Sequence, residues 1–164
     1  MIKYVEDQEN ADRDTQIAQV RIILLVEDSI RYYSRYLPHL YSELIRQTSK
    51  LVEEEMQEET KKVLKMRCRP KIILATNYEE AMELFDYYRD FLLCVITDVK
   101  YHKDGVLDDE AGIKLARRLK ELQPDLPILL QSSEPNIESV ANRIGASFIH
   151  KESQFLSKRL SKFF

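Results

Sequence analysis

The stretch IILLVEDS, residues 22–29, opens with five consecutive apolar residues and then reaches two adjacent carboxylates, Glu27 and Asp28. A short apolar run without polar alternation is typical of a strand buried on both faces of a parallel sheet. Two acids at the carboxyl end of such a strand have two possible explanations. Asp28 caps the helix that follows, or both acids belong to a site that is completed elsewhere in the chain.

Four further apolar runs of the same kind follow along the chain: KIILA (71–75), LLCVIT (92–97), PILLQ (127–131) and SFIH (147–150). The segments between them have helical spacing of apolar residues. One begins behind a predicted N-cap at Asn77, the next stops near Pro124, and the third ends at Gly145. Strands that alternate with helices predict βαβ units, and therefore an α/β fold with a doubly wound, five-stranded parallel sheet.

The connection between the first two strands is unusually long. It runs 42 residues from Ser29 to Pro70, whereas an average helix has about 11–12 residues. Its composition favours an extended first helix, which Pro38 kinks or restarts. One helix over 30–66 and a helical hairpin broken near QTSK both remain open. The stretch around 37–66 is either a solvated helix or an arm for homodimerisation or intramolecular docking.

Composition excludes several classes of protein. The chain has 164 residues with 44% hydrophobic and 32% charged side chains, which are values of a globular domain. A net charge of −3 argues against a nucleic-acid partner. The longest apolar run, residues 91–96, is far shorter than the roughly 18 residues of a membrane span. Cys68 and Cys94 have no CxxC partner, which favours a reduced, cytoplasmic chain.

The domain boundary is expected near residue 20. Residues 1–20 lack apolar periodicity and are predicted to be an N-terminal tail or linker, followed by a single domain over 21–164.

Polar residues follow four of the five predicted strands. In a doubly wound sheet, ligands bind beyond the carboxyl ends of the strands. There the sequence places two acids, another acid, a hydroxyl and a lysine: Glu27, Asp28, Asp98, Ser132 and Lys151. Clustered carboxylates repel one another unless a cation joins them, and Mg²⁺ prefers such oxygens. Each of these residues alone could be explained as a helix cap, a turn residue or a surface residue. Their common position at one edge of the predicted sheet favours a binding site.

This combination resembles the receiver domain of two-component response regulators. The matching stretches are ILLVEDS, ATNYEEAMELF, VITDV, EAGIKLARRLKELQPDLPILLQSS and GASFIHK, which cover residues 21–151 apart from two insertions. The resemblance implies a flavodoxin-like sheet of order 2-1-3-4-5. It also implies a regulatory domain in phosphorelay signal transduction, not an enzyme.

The resemblance assigns a role to each site residue. Asp98 is the implied phosphoacceptor, and Mg²⁺ is the implied cofactor. The implied metal ligands are Glu27, Asp28, Asp98 and the backbone carbonyl of Lys100. The implied phosphate-binding and switch residues are Ser132, Lys151 and Phe148. The implied partner is a histidine kinase or a phosphotransfer protein, with no nucleic acid and no membrane.

The receiver interpretation has one functional alternative, and the sequence shows one further resemblance. The alternative is a non-phosphorylated pseudo-receiver that serves as an interaction or dimerisation module in a larger chain. The sequence also resembles receiver-like segments of multidomain bacterial proteins with phosphoenolpyruvate synthase-like domains.

The loop after Asp98 departs from the receiver pattern. VKYHKDGVLDDEAG, residues 99–112, is longer than usual and lacks the usual proline. The Lys100 side chain is a cation close enough in sequence to substitute partly for Mg²⁺. His102, within the same loop, is a candidate for modulating the site. Phe148 carries no hydroxyl, and Glu152 follows Lys151 where a proline is usual.

Overall fold

The computed structural model describes residues 2–55 and 69–153. In chain order its elements are α1 (Ile2–Ala18), β1 (Ile22–Val26), α2 (Ile30–Glu55), β2 (Lys71–Ala75), α3 (Tyr78–Tyr88), a short 3-10 turn (Arg89–Phe91), β3 (Leu92–Asp98), β4 (Tyr101–Lys103), β5 (Val106–Asp108), α4 (Ala111–Leu122), β6 (Ile128–Ser132), α5 (Ile137–Arg143) and β7 (Ser147–His150). No helix in these two ranges is long and apolar enough to cross a membrane.

The central sheet has five parallel strands in the order β2-β1-β3-β6-β7. These are the five predicted strands, and both the predicted order 2-1-3-4-5 and the α/β doubly wound class are confirmed. Strands β4 and β5 form a separate antiparallel hairpin inside the long loop after β3. The sequence predicted the long loop but not the hairpin.

Side chains of β1 alternate between two apolar cores, one on each face of the sheet. Ile22, Leu24 and Val26 join the core shared with α3, α4 and α5. Ile23 and Leu25 join the core shared with α2. All five strand residues are buried, which is why the sequence shows no polar alternation.

Helix α2 is long, as the sequence predicted, and it contains Pro38 within its span. The helix is described as far as Glu55. Its predicted continuation to residue 66, and the choice between one helix and a hairpin there, lie outside the described residues.

Within residues 1–20, for which the sequence predicted a tail or linker, Ile2–Ala18 form helix α1, which packs against β2. Much of the contact between α1 and the rest of the domain is ionic. The apolar residues of this segment therefore show little of the periodicity that would have predicted a helix. Asp7 is fully buried and accepts hydrogen bonds from both terminal nitrogens of Arg69 at 2.9 and 2.6 Å. It also accepts the Tyr41 hydroxyl at 2.9 Å and the backbone N–H of Ile72 at 3.0 Å.

Asp7 should therefore contribute strongly to stability. Replacing Asp7 with Ala leaves the Arg69 guanidinium without its buried counter-ion, and we expect the free energy of unfolding to fall by about 3–5 kcal/mol. Urea denaturation measures this loss. Glu9→Ala, an exposed position on the same helix, is the matched control and should change stability by less than about 0.5 kcal/mol. Equal, small effects for the two variants would show that α1 is only loosely attached.

Candidate phosphoryl and metal site

The site residues lie where the parallel strands end. Glu27 and Asp28 directly follow β1, Asp98 ends β3, Ser132 ends β6, and Lys151 directly follows β7. The backbone N–H of Lys151 donates to the Ser132 carbonyl at 2.9 Å, so the pairing of β6 and β7 continues up to the lysine. The fold thus gathers residues that are far apart in sequence at one edge of the sheet.

The two adjacent acids have different surroundings. Continuing the alternation of β1 places Glu27 on the α2 side and Asp28 on the other side. Glu27 is 1% exposed, whereas the Asp28 side chain is 29% exposed. The pair therefore supplies one buried carboxylate and one that is open to solvent.

Lys151 joins the two buried acids. Its Nζ lies 2.6 Å from Oε2 of Glu27 and 2.7 Å from Oδ2 of Asp98, and the lysine is 3% exposed. The Tyr32 ring lies against the same ammonium, with its centroid 4.0 Å from Nζ, within the range of a cation–π contact. Buried charges are tolerated only when they are paired in this way.

Further donors fix the orientation of both carboxylates. Glu27 accepts the side-chain amide of Gln131 and the backbone N–H of Ser29, each at 3.2 Å. Asp98 accepts the backbone N–H of Val99 at 2.7 Å on the oxygen that Lys151 does not contact. Both acids are consequently held in place before any ligand binds.

Burial dominates the electrostatics of the pair. Burial, followed by the charge of Asp98, raises the pKa of Glu27 to about 7, although Lys151 acts in the opposite direction. Burial likewise raises the pKa of Asp98 against the influence of Lys151. One ammonium thus does not fully compensate the carboxylates, and a further cation would be stabilised here.

The donor set fits a hard divalent ion. Glu27, Asp28 and Asp98 each offer a carboxylate oxygen, and these atoms lie within 4.8 Å of one another. Two buried polar atoms, Oε1 of Gln131 and the hydroxyl of Tyr36, have no hydrogen-bond partner among the described residues. Gln131 lies beside Glu27, to which its amide nitrogen donates. Burial and then the charges of Glu27 and Asp98 raise the pKa of Tyr36. Buried polar atoms without a partner are rare in proteins.

Three other predicted residues make contacts of their own. Ser132 is buried, and its Oγ accepts the backbone N–H of Glu134 at 3.0 Å. Phe148 is half-buried and packs against the core on the α3–α5 side of the sheet. The Lys100 side chain is 53% exposed and forms an ion pair with Asp109, so its ammonium is engaged by another acid.

Gly112 is a supporting residue that the sequence reasoning missed. Its backbone N–H donates to the Val99 carbonyl at 2.9 Å at the start of α4. A Cβ added there would lie 1.9 Å from the carbonyl oxygen of Asp98, a distance that no real contact allows. Glycine is therefore required where α4 touches the end of β3. The available signal was its rarity, because the chain has only three glycines.

Comparisons with known proteins give similarity at the level of structure. No protein-family model matches the chain, and no curated protein sequence does. A response regulator receiver domain from Clostridium thermocellum is 16% identical with a TM-score of 0.61, over 88% of this chain and 90% of that one. The chemotaxis response regulator CheY4 of Vibrio cholerae is 18% identical with a TM-score of 0.52, over 88% and 99%. A CheY-like receiver domain from Methanospirillum hungatei is 15% identical with a TM-score of 0.53, over 88% and 94%.

At these identities the similarity establishes the fold. The chain has the flavodoxin-like fold of response-regulator receiver domains. The resemblance to segments of phosphoenolpyruvate synthase-like chains stays a prediction.

Gly112 allows a direct test of the packing beneath the site. Gly112→Ala forces backbone atoms apart at the end of β3, and we expect a loss of about 3 kcal/mol or more in the free energy of unfolding. Arg117→Ala, at an exposed position of the same helix, is the control and should stay within about 0.5 kcal/mol of the parent protein. Thermal and urea denaturation report both values. A neutral Gly112→Ala would contradict the close approach of α4 to Asp98.

Proposed function

We propose that this chain is a receiver that accepts a phosphoryl group on Asp98 in phosphorelay signal transduction. The observation that carries the proposal is the Lys151 ammonium, bonded within one buried cluster to both Glu27 and Asp98. A carboxylate that is to become an acyl phosphate needs a nearby cation for the charge that arrives. The proposed donor is the phosphohistidine of a histidine kinase or a phosphotransfer protein, which would be the chain's partner.

The transfer conserves atoms and charge in a simple way. An Asp98 carboxylate oxygen forms a bond to phosphorus while the P–N bond of the donor phosphohistidine breaks, and the released imidazole takes a proton from solvent. The Val99 N–H holds the carboxylate in orientation during this step. The acid is the acceptor and is not regenerated within the transfer, so the proposed role is regulatory rather than enzymatic.

Glu27, Asp28 and Asp98, with the backbone carbonyl of Lys100, would hold Mg²⁺, which neutralises charge between the acceptor and the phosphoryl group. Lys151 would exchange a carboxylate contact for a phosphoryl oxygen, and its short distances to both acids support this role. The Ser132 hydroxyl can donate to another phosphoryl oxygen. A switch role for Phe148 stays a prediction, since that ring packs with the core.

The alternative of a non-phosphorylated pseudo-receiver also stays a prediction. It depends on dimerisation or docking through residues 37–66, and the part beyond Glu55 lies outside the described residues. Phosphoryl loading separates the two readings, because a pseudo-receiver would accept none.

Asp98 is tested by loading the protein with a small donor. We expect acetyl phosphate with Mg²⁺ to give a single phosphoryl adduct by intact mass spectrometry, stable in acid and labile in base. Asp98→Asn should give none, because an amide oxygen is not a nucleophile of comparable strength. Asp86→Asn, an exposed aspartate on α3, is the matched control and should load like the parent protein. No adduct in the parent protein, or an undiminished adduct in Asp98→Asn, would rule out the proposal.

Lys151 is tested by exchange with a side chain of similar length and no charge. In Lys151→Met the buried carboxylates lose their counter-ion, and we expect a loss of about 3 kcal/mol in stability without metal. Added Mg²⁺ should raise the melting temperature more in this variant than in the parent protein, because no ammonium competes for the same oxygens. Lys120→Met, whose Nζ bonds only a backbone carbonyl in the described structure, is the control. Equal Mg²⁺ shifts in all three proteins would contradict shared use of the carboxylates.

A further inference from the structure

A groove lies between helices α4 and α5. It forms a cavity of about 470 Å³, lined by side chains of both helices and of the loops that follow β3 and β6. Its lining runs from Glu110 to Arg117 along α4 and from Asn136 to Arg143 along α5, beginning in each case at the residue before the helix. Both spans are about two helical turns, so the groove is roughly 10 Å long.

The floor of the groove is apolar. Ile113 of α4 and Ile137 of α5 belong to the buried core on this side of the sheet, and Val140 is half-buried against that core. Arg117 and Arg143 at the rim are exposed. Small-molecule sites enclose most of the surface of their ligand, whereas an apolar floor below an open, charged rim suits a helix that lies along the groove.

The end of the groove nearest the carboxyl edge of the sheet is acidic. Asp109, Glu110 and Glu134 line it, together with Lys100. Lys100 forms an ion pair with Asp109. Asp109 first, and Glu134 more weakly, raise the pKa of the Lys100 ammonium. Three carboxylates thus share a single cation at this end.

The opposite end of the groove is cationic. Arg117 and Arg143 line it, further along both helices. Within residues 2–55 and 69–153, Arg117 makes no hydrogen bond or ion pair, and the Arg143 side chain bonds only the Ser139 backbone carbonyl, at 3.4 Å. Guanidinium groups bind carboxylates in a two-pronged geometry. Both arginines therefore have donors available for the acids of another molecule.

We propose that this groove docks an amphipathic helix of a partner protein whose first turn is acidic. The carboxylates of that helix pair with Arg117 and Arg143, and its apolar face covers Ile113, Ile137 and Val140. Its last turn is basic and lies at the acidic end of the groove. Acids in the first turn and bases in the last turn complement the helix dipole, so the charges of the groove match an ordinary helix in one direction.

The acidic end of the groove adjoins the candidate phosphoryl site. Lys100 follows Asp98 by two residues, and the backbone N–H of Glu134 donates to the Ser132 hydroxyl at 3.0 Å. A docked helix therefore lies against the loops that carry two of the site residues. Docking itself requires no phosphoryl group on Asp98 and is tested without one, so a failure of phosphoryl loading and a failure of docking are separate results.

Titration of labelled peptides with the whole chain, followed by fluorescence anisotropy, tests the docking. The acidic probe is a helix-forming peptide of about 15 residues with two Glu in the first turn, Leu along one face and two Lys in the last turn. The comparison peptide has Lys at both Glu positions. We expect the parent protein to bind the acidic probe about tenfold more tightly, because the comparison peptide replaces two exposed ion pairs with like-charge contacts.

Charge reversal at the arginines tests where the peptide binds. Arg117→Glu/Arg143→Glu should reverse the order of the two peptides. Arg13→Glu/Arg118→Glu makes the same change in net charge at two exposed positions outside the groove lining, and this matched control should keep the parent order. Melting temperatures check that both variants are folded, and the comparison of the two peptides on the parent protein needs no variant.

Other results would overturn the docking. Equal affinities of the parent protein for the two peptides, or no binding of either, would refute a role for the arginines. Reversal in the control variant as well would show that net charge, and not the groove, determines the order. Displacement of the acidic probe by an equal concentration of succinate would make a small dicarboxylate the occupant. A dimer of the parent protein that the probe dissociates in sedimentation would make the occupant a second copy.

Discussion

A lysine ammonium held between two buried carboxylates organises the carboxyl end of this sheet. Lys151 follows β7, whereas its partner Glu27 follows β1 and its partner Asp98 ends β3. In the observed order, β6 lies between β7 and β3, so a long side chain is needed to reach both acids. Because the charges are buried, breaking either contact would leave an uncompensated ion in a low-dielectric setting. The positions of three strand ends are therefore linked by one side chain.

This arrangement leaves negative charge in excess, and that excess explains the rest of the site. Three carboxylates lie within 4.8 Å of one another, and one ammonium contacts only two of them. The elevated pKa of Glu27, about 7, is the physical expression of burial together with that surplus. Under the proposed function, a divalent cation would relieve this imbalance by its charge. The same cation would offset the negative charge of the incoming phosphoryl group.

Features with local sequence signals could be predicted, and those built from long-range contacts could not. The five strands of the sheet could be predicted from short apolar runs, and their order could be predicted from the resemblance to receiver domains. Asn77 caps α3 by accepting the Glu80 N–H, and Gly145 has φ of +70° after α5, as their residue types indicated. The site acids were predictable because parallel strands end at one edge. Helix α1 was missed because a polar residue, Asp7, makes its central contacts, and strands β4 and β5 because each is only three residues long.

The contact between Asp7 and Ile72 has a consequence for the outer strand of the sheet. β2 is an edge strand, and its Ile72 amide is occupied by a carboxylate from α1 rather than by another strand. Exposed strand edges are templates for pairing with other chains, and natural proteins cover them with helices or charges. Helix α1 supplies both kinds of cover here. Helix α1, residues Ile2–Ala18, thus covers part of this edge, and a chain shortened to begin at β1 would expose the Ile72 amide for pairing with another copy.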